Sequence, residues 1–290
     1  MTSTLGALYL EGAASLAAAG VKSPEHDARA LLAHVLHVRL NDVLLRAAEP
    51  AELLTECVYE HLLVLRRRRM PLQYVTHNTF FHGLELRTDE RALIPRQETE
   101  QLVEAVIERL VVLDLPAGSL VADVGCGSGA IGLALAQRFP ELRFVLTDLS
   151  GPAVELAGEN AERLGLQDRV TLLEGSYLEP LRQAGLMDEV VVLVCNPPYV
   201  RPNEVSMLDP EVLAEPRMAL TASAADGLEG HRTLAAEASG LTALRLLACE
   251  VGYAQEEDVA NLMAPLGRVE ILPDFQGIER VVIVYVGESD

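Results

Sequence analysis

The chain has 290 residues, half of them hydrophobic and 23% charged, which is enough to bury a core and excludes global disorder. No apolar run is long enough to span a bilayer, and the first residues lack the charged and apolar regions of a signal peptide, so a cytoplasmic location without a membrane partner is expected. A net charge of −20, from 43 acids against 23 bases, opposes nucleic-acid phosphates and favours cationic partners.

Residues 1–70 read as helices. Ser23-Pro24 is a helix start, with Ser as N-cap and Pro in the first position, followed by an apolar face from Ala30 to Val38. A further helix runs from Glu52 to Arg69 and ends in Arg66-Arg67-Arg68-Arg69. That run reads as a solvated helix end, with a binding patch as the alternative. After Pro71 the period changes, and Gln73–His77 with Thr79–Leu86 predicts a β-hairpin turning near His77-Asn78. Glu98 to Val112 is helical again.

From Ser119 onward strands and helices alternate. The predicted strands are Leu120–Val124, Phe144–Thr147, Val170–Leu173, Val190–Val194, Ala243–Cys249 and Val281–Val286. The helices between the first of them are Ala130–Phe139 and Pro152–Leu164. Near-continuous apolar strands separated by helices predict an α/β fold, a parallel sheet covered on both faces. Three parts follow: a helical domain over 1–71, a linking hairpin over 72–94 and a sheet domain over 95–290.

Cys57, Cys126, Cys195 and Cys249 lie far apart, so neither a metal site nor a disulfide framework is expected. His77, His82 and His231 are isolated and read as structural, with His77 worth separate attention. Chemistry concentrates elsewhere. Gly125, Gly127 and Gly129 follow the first strand of the sheet domain and let backbone approach a ligand at a helix N-terminus. Asp148 ends the next strand, where an acid can accept from ribose hydroxyls. Both features suit a NAD-dependent oxidoreductase as well as other nucleotide cofactors. Asn196-Pro197-Pro198-Tyr199 ends a strand whose carboxyl end shares that crevice. Two prolines remove two donors and leave acceptors, and Tyr199 offers a flat face. Such a site suits a planar NH2 group.

The combination resembles class I S-adenosylmethionine-dependent methyltransferases, and within them the release-factor glutamine methyltransferase (HemK/PrmC) family. The likeness runs nearly end to end. It includes Gly20 to Ala28, Leu93-Ile94-Pro95-Arg96-Gln97-Glu98-Thr99-Glu100, the glycine segment through Ile131, and Asn196 to Tyr199. It continues through Glu215-Pro216, Asp226-Gly227, Cys249-Glu250-Val251-Gly252 and Asp274 to Arg280. The resemblance implies a Rossmann-like, seven-stranded, mostly parallel sheet with a small N-terminal helical domain that recognises the substrate. It implies S-adenosylmethionine held by Gly125, Cys126, Gly127, Ser128, Gly129, Asp148, Tyr177 and Asn196, with S-adenosylhomocysteine as product. It implies catalysis by Asn196, Pro197 and Tyr199, and an acceptor site drawn from these with Pro198, Phe81, Arg96, Glu98, Glu100 and His77.

The chain departs from the family pattern at His77 in place of glycine, Phe80 in place of glutamate, Gln97 in place of proline and Ser176 in place of an acid. Two substrates therefore compete: the glutamine amide of a peptide chain release factor, and a small cationic substrate such as the guanidino group of arginine. The second would need carboxylates, for which Glu98, Glu100 and Glu250 are candidates. A nucleic-acid adenine methyltransferase would share Asn196 to Tyr199 but is opposed by the net charge, so no nucleic-acid partner is expected.

Overall fold

The computed structural model describes residues 3–288, in two compact units. The first runs to Asn78 and takes in Asp209–Ala214; the second comprises Thr79–Leu208 and the chain from Glu215 onward. The units therefore divide at Asn78/Thr79, not at 71 and 94, and the first recruits six residues from far along the sequence.

The first unit is helical: Leu5–Ala18, Pro24–Leu36 and Leu53–Arg67, with short helices Asp42–Leu45 and Leu72–Thr76. Thr4 caps the first, its Oγ1 accepting from the Ala7 N–H at 3.2 Å. Pro24 opens the second as expected, although the Ser23 side chain makes no capping bond. Leu16, Leu31, Leu32, Tyr59 and Leu63 are buried between them. A Cβ on Gly12 would lie 2.2 Å from the Tyr59 hydroxyl oxygen, so glycine lets these two helices touch. The Tyr59 hydroxyl donates to the Ala28 carbonyl at 3.1 Å.

The arginine run is neither a solvated end nor a free patch. Arg66 is buried, donating to Asp27 Oδ2 and Glu211 Oε1, each at 2.8 Å. Arg69 grips both oxygens of Glu211 at 2.7 and 2.6 Å, and Arg67 pairs with Glu60. Arg68 is exposed. Burial opposes ionisation of Glu211, yet Arg69 and Arg66 hold its pKa down to about 2. These pairs are what bind Asp209–Ala214 into the helical unit.

The predicted hairpin is displaced. Leu72–Thr76 is helical because Tyr74 and Val75, adjacent in sequence, both bury and both donate their N–H groups to the Pro71 carbonyl. A strand would have sent them to opposite faces. His77 closes this helix in the left-handed region at φ 54°, the backbone state that glycine favours and that histidine tolerates. The hairpin consists of β1 (Asn78–Phe81) and β2 (Leu84–Arg87), turning at His82-Gly83 with φ of 47° and 78°. Two positive φ values are what a tight hairpin turn demands, and Gly83 supplies the second without cost.

The second unit is built on β3 (Leu120–Val124), β4 (Arg143–Asp148), β5 (Val170–Glu174), β6 (Val190–Cys195), β7 (Leu246–Glu250), β8 (Gly267–Pro273) and β9 (Glu279–Val286). They form one seven-stranded sheet in the order β5-β4-β3-β6-β7-β9-β8. β3 to β7 are parallel, and β9 runs antiparallel to both of its neighbours. Helices Gln97–Leu113, Ala130–Arg138 and Gly151–Arg163 cover one face, and Glu229–Ala238 with Glu256–Met263 cover the other. Every residue of β3 is buried, the sequence mark of a strand covered twice. β8 is not among the predicted strands. It is an edge strand of partly buried residues, alternating Arg268 and Glu270 with Val269 and Ile271 between two prolines, so it lacks the apolar run of the central strands.

Candidate active site

Register brings the site together. Val124 lies opposite Thr147 on β4 and Cys195 on β6, and Cys195 lies opposite Cys249 on β7. One step further along each strand come Gly125, Asp148, Asn196 and Glu250. Four residues far apart in sequence thus leave the sheet at one level. From β3 the chain proceeds outward through β4 and β5, then crosses to β6 and β7 on the other side. Ligands bind at the carboxyl ends of strands beside such a reversal.

A cavity of about 340 Å³ lies there, lined by Gly125, Gly127, Asp148, Tyr177, Asn196, Pro197 and Pro198 among others. Gly125 and Gly127 have φ of 73° and 55°. A Cβ on Gly125 would find only the Asn196 carbonyl oxygen, at 4.0 Å, and one on Gly127 only the Ala92 Cβ, at 3.8 Å. Their missing side chains are therefore the space of the cavity. Asp148 Oδ2 accepts from the Gly127 N–H at 2.8 Å and Oδ1 from the Ser150 N–H at 2.9 Å. Burial raises the Asp148 pKa against these bonds. Leu149 and Ala153 add apolar wall, and burial pushes the Tyr177 phenol up to about 12. A glycine cradle, an accepting carboxylate and an apolar wall with a tyrosine fit S-adenosylmethionine: backbone for its amino-acid end, Asp148 for its ribose, the wall for its base.

Gly129, Ser128 and Cys126, also expected as cofactor contacts, are not among the residues that line the cavity. A Cβ on Gly129 would lie 2.9 Å from Leu133 Cδ1 and 3.2 Å from Ala157 Cβ, so this glycine serves packing between helices. Ser128 is buried and its carbonyl accepts from Asn160 Nδ2 at 2.9 Å. Cys126 is buried, with its thiol pKa raised by burial. Below the loop, Asp123 Oδ2 accepts from the Gly132 N–H at 2.8 Å while Oδ1 is buried without a partner, and burial pushes its pKa up to about 7.

The Asn196 side chain is held by buried neighbours. Its Nδ2 donates to Glu250 Oε2 at 3.0 Å and to Thr99 Oγ1 at 3.2 Å. Thr99 donates to the same Glu250 oxygen at 2.6 Å, and the Tyr199 hydroxyl donates to Glu250 Oε1 at 3.0 Å. Burial raises the pKa of Glu250 and, with the Glu250 carboxylate, that of Tyr199. Gln255 Nε2 donates to the Tyr199 carbonyl at 3.2 Å and fixes the rest of the loop. Thr99 was not singled out in the sequence, although it lies inside the Arg96 to Glu100 segment. In the sequence Glu250 belongs to the Cys249 to Gly252 segment and is a candidate partner for a guanidinium; with three donors on it, it is already committed.

The expected acceptor set is divided. Asn196, Pro197 and Pro198 line the cavity, whereas Tyr199, Phe81, Arg96, Glu98, Glu100 and His77 are absent from its lining. Phe81 is buried in the core. Arg96 donates to Glu215 Oε1 at 2.5 Å, and Glu215 also accepts from the Ile94 N–H at 2.9 Å, which fixes the start of the Pro216 to Ser223 stretch that walls the cavity. Glu100 accepts from the His82 N–H at 3.0 Å and so anchors the hairpin turn. His77 belongs to the helical unit. Gly230 is a wall residue that no motif flagged: a Cβ there would meet Pro197 Cβ at 2.8 Å. His231 is buried, its Nε2 lying 2.9 Å from the Glu250 carbonyl oxygen, and burial lowers its pKa.

Among the described residues, no helix is long and apolar enough to cross a membrane, and no group of three or more His, Cys, Asp or Glu could hold a metal ion.

Comparison with known proteins agrees with this architecture. The Methyltransferase small domain family matches residues 100–224, and the PrmC N-terminal domain family matches residues 7–76. The chain is 39% identical over 285 residues to the release factor glutamine methyltransferase of Moorella thermoacetica, covering 96% of this chain and 97% of that one. It is 38% identical over 277 residues to the protein of the same name from Deinococcus radiodurans, covering 95% and 96%. In fold it is similar to the hMettl16 catalytic domain in complex with a MAT2A 3'UTR hairpin, with a TM-score of 0.57, 15% identity and coverage of 77% and 80%. The N-terminal domain of human METTL16 in complex with SAH gives a TM-score of 0.50 at 17% identity, covering 70% and 76%.

Proposed function

Given that this chain belongs to the release factor glutamine methyltransferase family and is an S-adenosylmethionine-dependent methyltransferase, we propose that it methylates the side-chain amide nitrogen of a glutamine in a peptide chain release factor. The observation that carries this reading is the Asn196 side chain, pinned by its nitrogen at the cavity wall with no hydrogen bond from any described residue on Oδ1. The names of the relatives support the choice of substrate. The guanidino alternative gains no such support. Glu98, Glu100 and Glu250 do not line the cavity, and both Glu250 oxygens already accept from neighbours.

S-adenosylmethionine, when bound, supplies an electrophilic methyl group. The chain's own residues do the rest. An amide nitrogen is a weak nucleophile because its lone pair is delocalised. Asn196 Oδ1 and the Pro197 carbonyl accept its two N–H groups, raise electron density on nitrogen and hold it in line for transfer. Two prolines keep that loop rigid and free of competing donors. The nitrogen becomes acidic once methylated and gives its proton to water. Tyr199 braces Asn196 from the side through Glu250. The helical unit is the part we assign to gripping the release factor; Leu45, Leu53 and Leu54 on it are exposed apolar side chains free to make such a contact.

The test is incubation with methyl-labelled S-adenosylmethionine, offering release factor and free arginine in parallel, with the label located by mass spectrometry. Label on a release-factor glutamine is expected. Label on arginine alone, or full transfer by Asn196→Ala, overturns the reading.

A further inference from the structure

We infer that Glu250 is a positioning residue that dictates which end of the Asn196 amide faces the cavity, and thereby restricts the acceptor to a group that brings its own hydrogens. The inference rests on the reading of Asn196 as the acceptor-binding group.

An amide side chain is nearly symmetric in shape, so packing alone does not choose between its oxygen and its nitrogen. Hydrogen-bond chemistry does. A carboxylate offers lone pairs only. Thr99 spends its hydroxyl proton on Glu250 Oε2 at 2.6 Å, so toward Asn196 it too offers a lone pair. Both inner neighbours are therefore acceptors, at 3.0 and 3.2 Å, and only Nδ2 satisfies them. The flipped amide would set Oδ1 against the carboxylate. Glu250 is 1% exposed, so water cannot relieve that repulsion. The other oxygen of Glu250 is occupied by the Tyr199 hydroxyl, which keeps the carboxylate itself from rotating. Oδ1 is thus a fixed acceptor. A carboxamide NH2 is admitted, whereas a carboxylate in the same place meets an oxygen and is rejected.

Replacing Glu250 by Gln removes the constraint. Gln can turn either end toward Asn196, so Nδ2 can face the cavity and present a donor where the reaction needs an acceptor. A second change restores the chemistry: in the E250Q/N196D pair the Gln nitrogen donates to one Asp oxygen, and the other faces the cavity as an acceptor. N196D alone sets two carboxylates together.

The experiment measures kcat and KM of the full chain on release factor for wild type, E250Q, N196D and the double variant. S-adenosylhomocysteine affinity is measured alongside as a readout of the folded cofactor site. The expected result is a fall in kcat of about tenfold or more for each single variant, with the double variant recovering at least about tenfold over N196D. S-adenosylhomocysteine affinity should change little in E250Q, whose side chain does not line the cavity. A merely structural role predicts additive losses in the double variant, and that result, or wild-type kcat in E250Q, overturns the proposal. If E250Q does not fold, Thr99→Val takes its place: a fall in kcat of roughly threefold or more supports the lock, and unchanged kcat overturns it. Absence of transfer to glutamine by the wild type removes the underlying reading and the inference with it, whereas transfer by the wild type together with an indifferent E250Q removes the inference alone.

Discussion

The Gly127 N–H donates to Asp148 Oδ2 at 2.8 Å, tying the glycine loop after β3 to the end of β4. The same carboxylate is the group assigned to the ribose. Asp148→Ala should therefore weaken S-adenosylhomocysteine binding by about tenfold to a hundredfold, the value of lost bonds to a charged acceptor. Calorimetric titration checks this. Because burial raises the Asp148 pKa, wild-type cofactor affinity should begin to fall on acidification earlier than an ordinary carboxylate would dictate, and the variant should lose that dependence.

Two neighbouring glycines should separate binding from stability. Gly127→Ala meets nothing closer than 3.8 Å and carries mainly the cost of φ 55°, about 1–2 kcal/mol. Its methyl group occupies cavity space, so cofactor affinity should drop by more than about tenfold. Gly129→Ala has φ 83° and a contact at 2.9 Å with Leu133, and should lose about 2–4 kcal/mol of stability. Denaturant unfolding and cofactor titration on both variants decide the matter.

Asp123 makes stability pH-dependent. Burial lifts its pKa in the folded chain to about 7 from a model-peptide value of 3.8. The folded state then binds a proton that the unfolded state has released, so this contribution is full below the unfolded pKa and is lost as pH rises toward 7. Asp123→Asn has no such proton to lose. Its melting temperature relative to wild type should therefore be higher at about pH 8 than at about pH 5. An unchanged difference between the two would refute the assignment.

Arg96 should matter through Glu215. The Glu215 side chain is 1% exposed and pairs with Arg96 at 2.5 Å. Arg96→Ala leaves that carboxylate buried with only the Ile94 N–H, which should cost about 1–3 kcal/mol. Adding Glu215→Gln should recover part of the loss, read as melting temperature.

The sequence by itself determined the chemistry and the layers. Leu120–Val124, with Asp123 as its one polar residue, and Val190–Val194 are near-continuous apolar runs because both faces of those strands are covered, and such runs need no partner to be read. Gly125, Gly127, Asp148 and Asn196 to Tyr199 were legible because positive φ, missing donors and strand-end acids depend on local backbone alone. The edge strand β8, the hairpin turn at His82-Gly83 and the burial of Arg66 were not legible in that way. Each depends on what packs against it: β9 beside β8, the Glu100 carboxylate on the His82 N–H, and Asp27 with Glu211 around Arg66. Only the tertiary structure decided that Gly129 packs against Ala157, and that Glu250 meets Asn196. These relations join residues dozens of positions apart, and strand register, which local pattern does not encode, sets their distance. A motif names the groups available for chemistry, whereas the direction in which an amide points is settled by the buried carboxylate behind it.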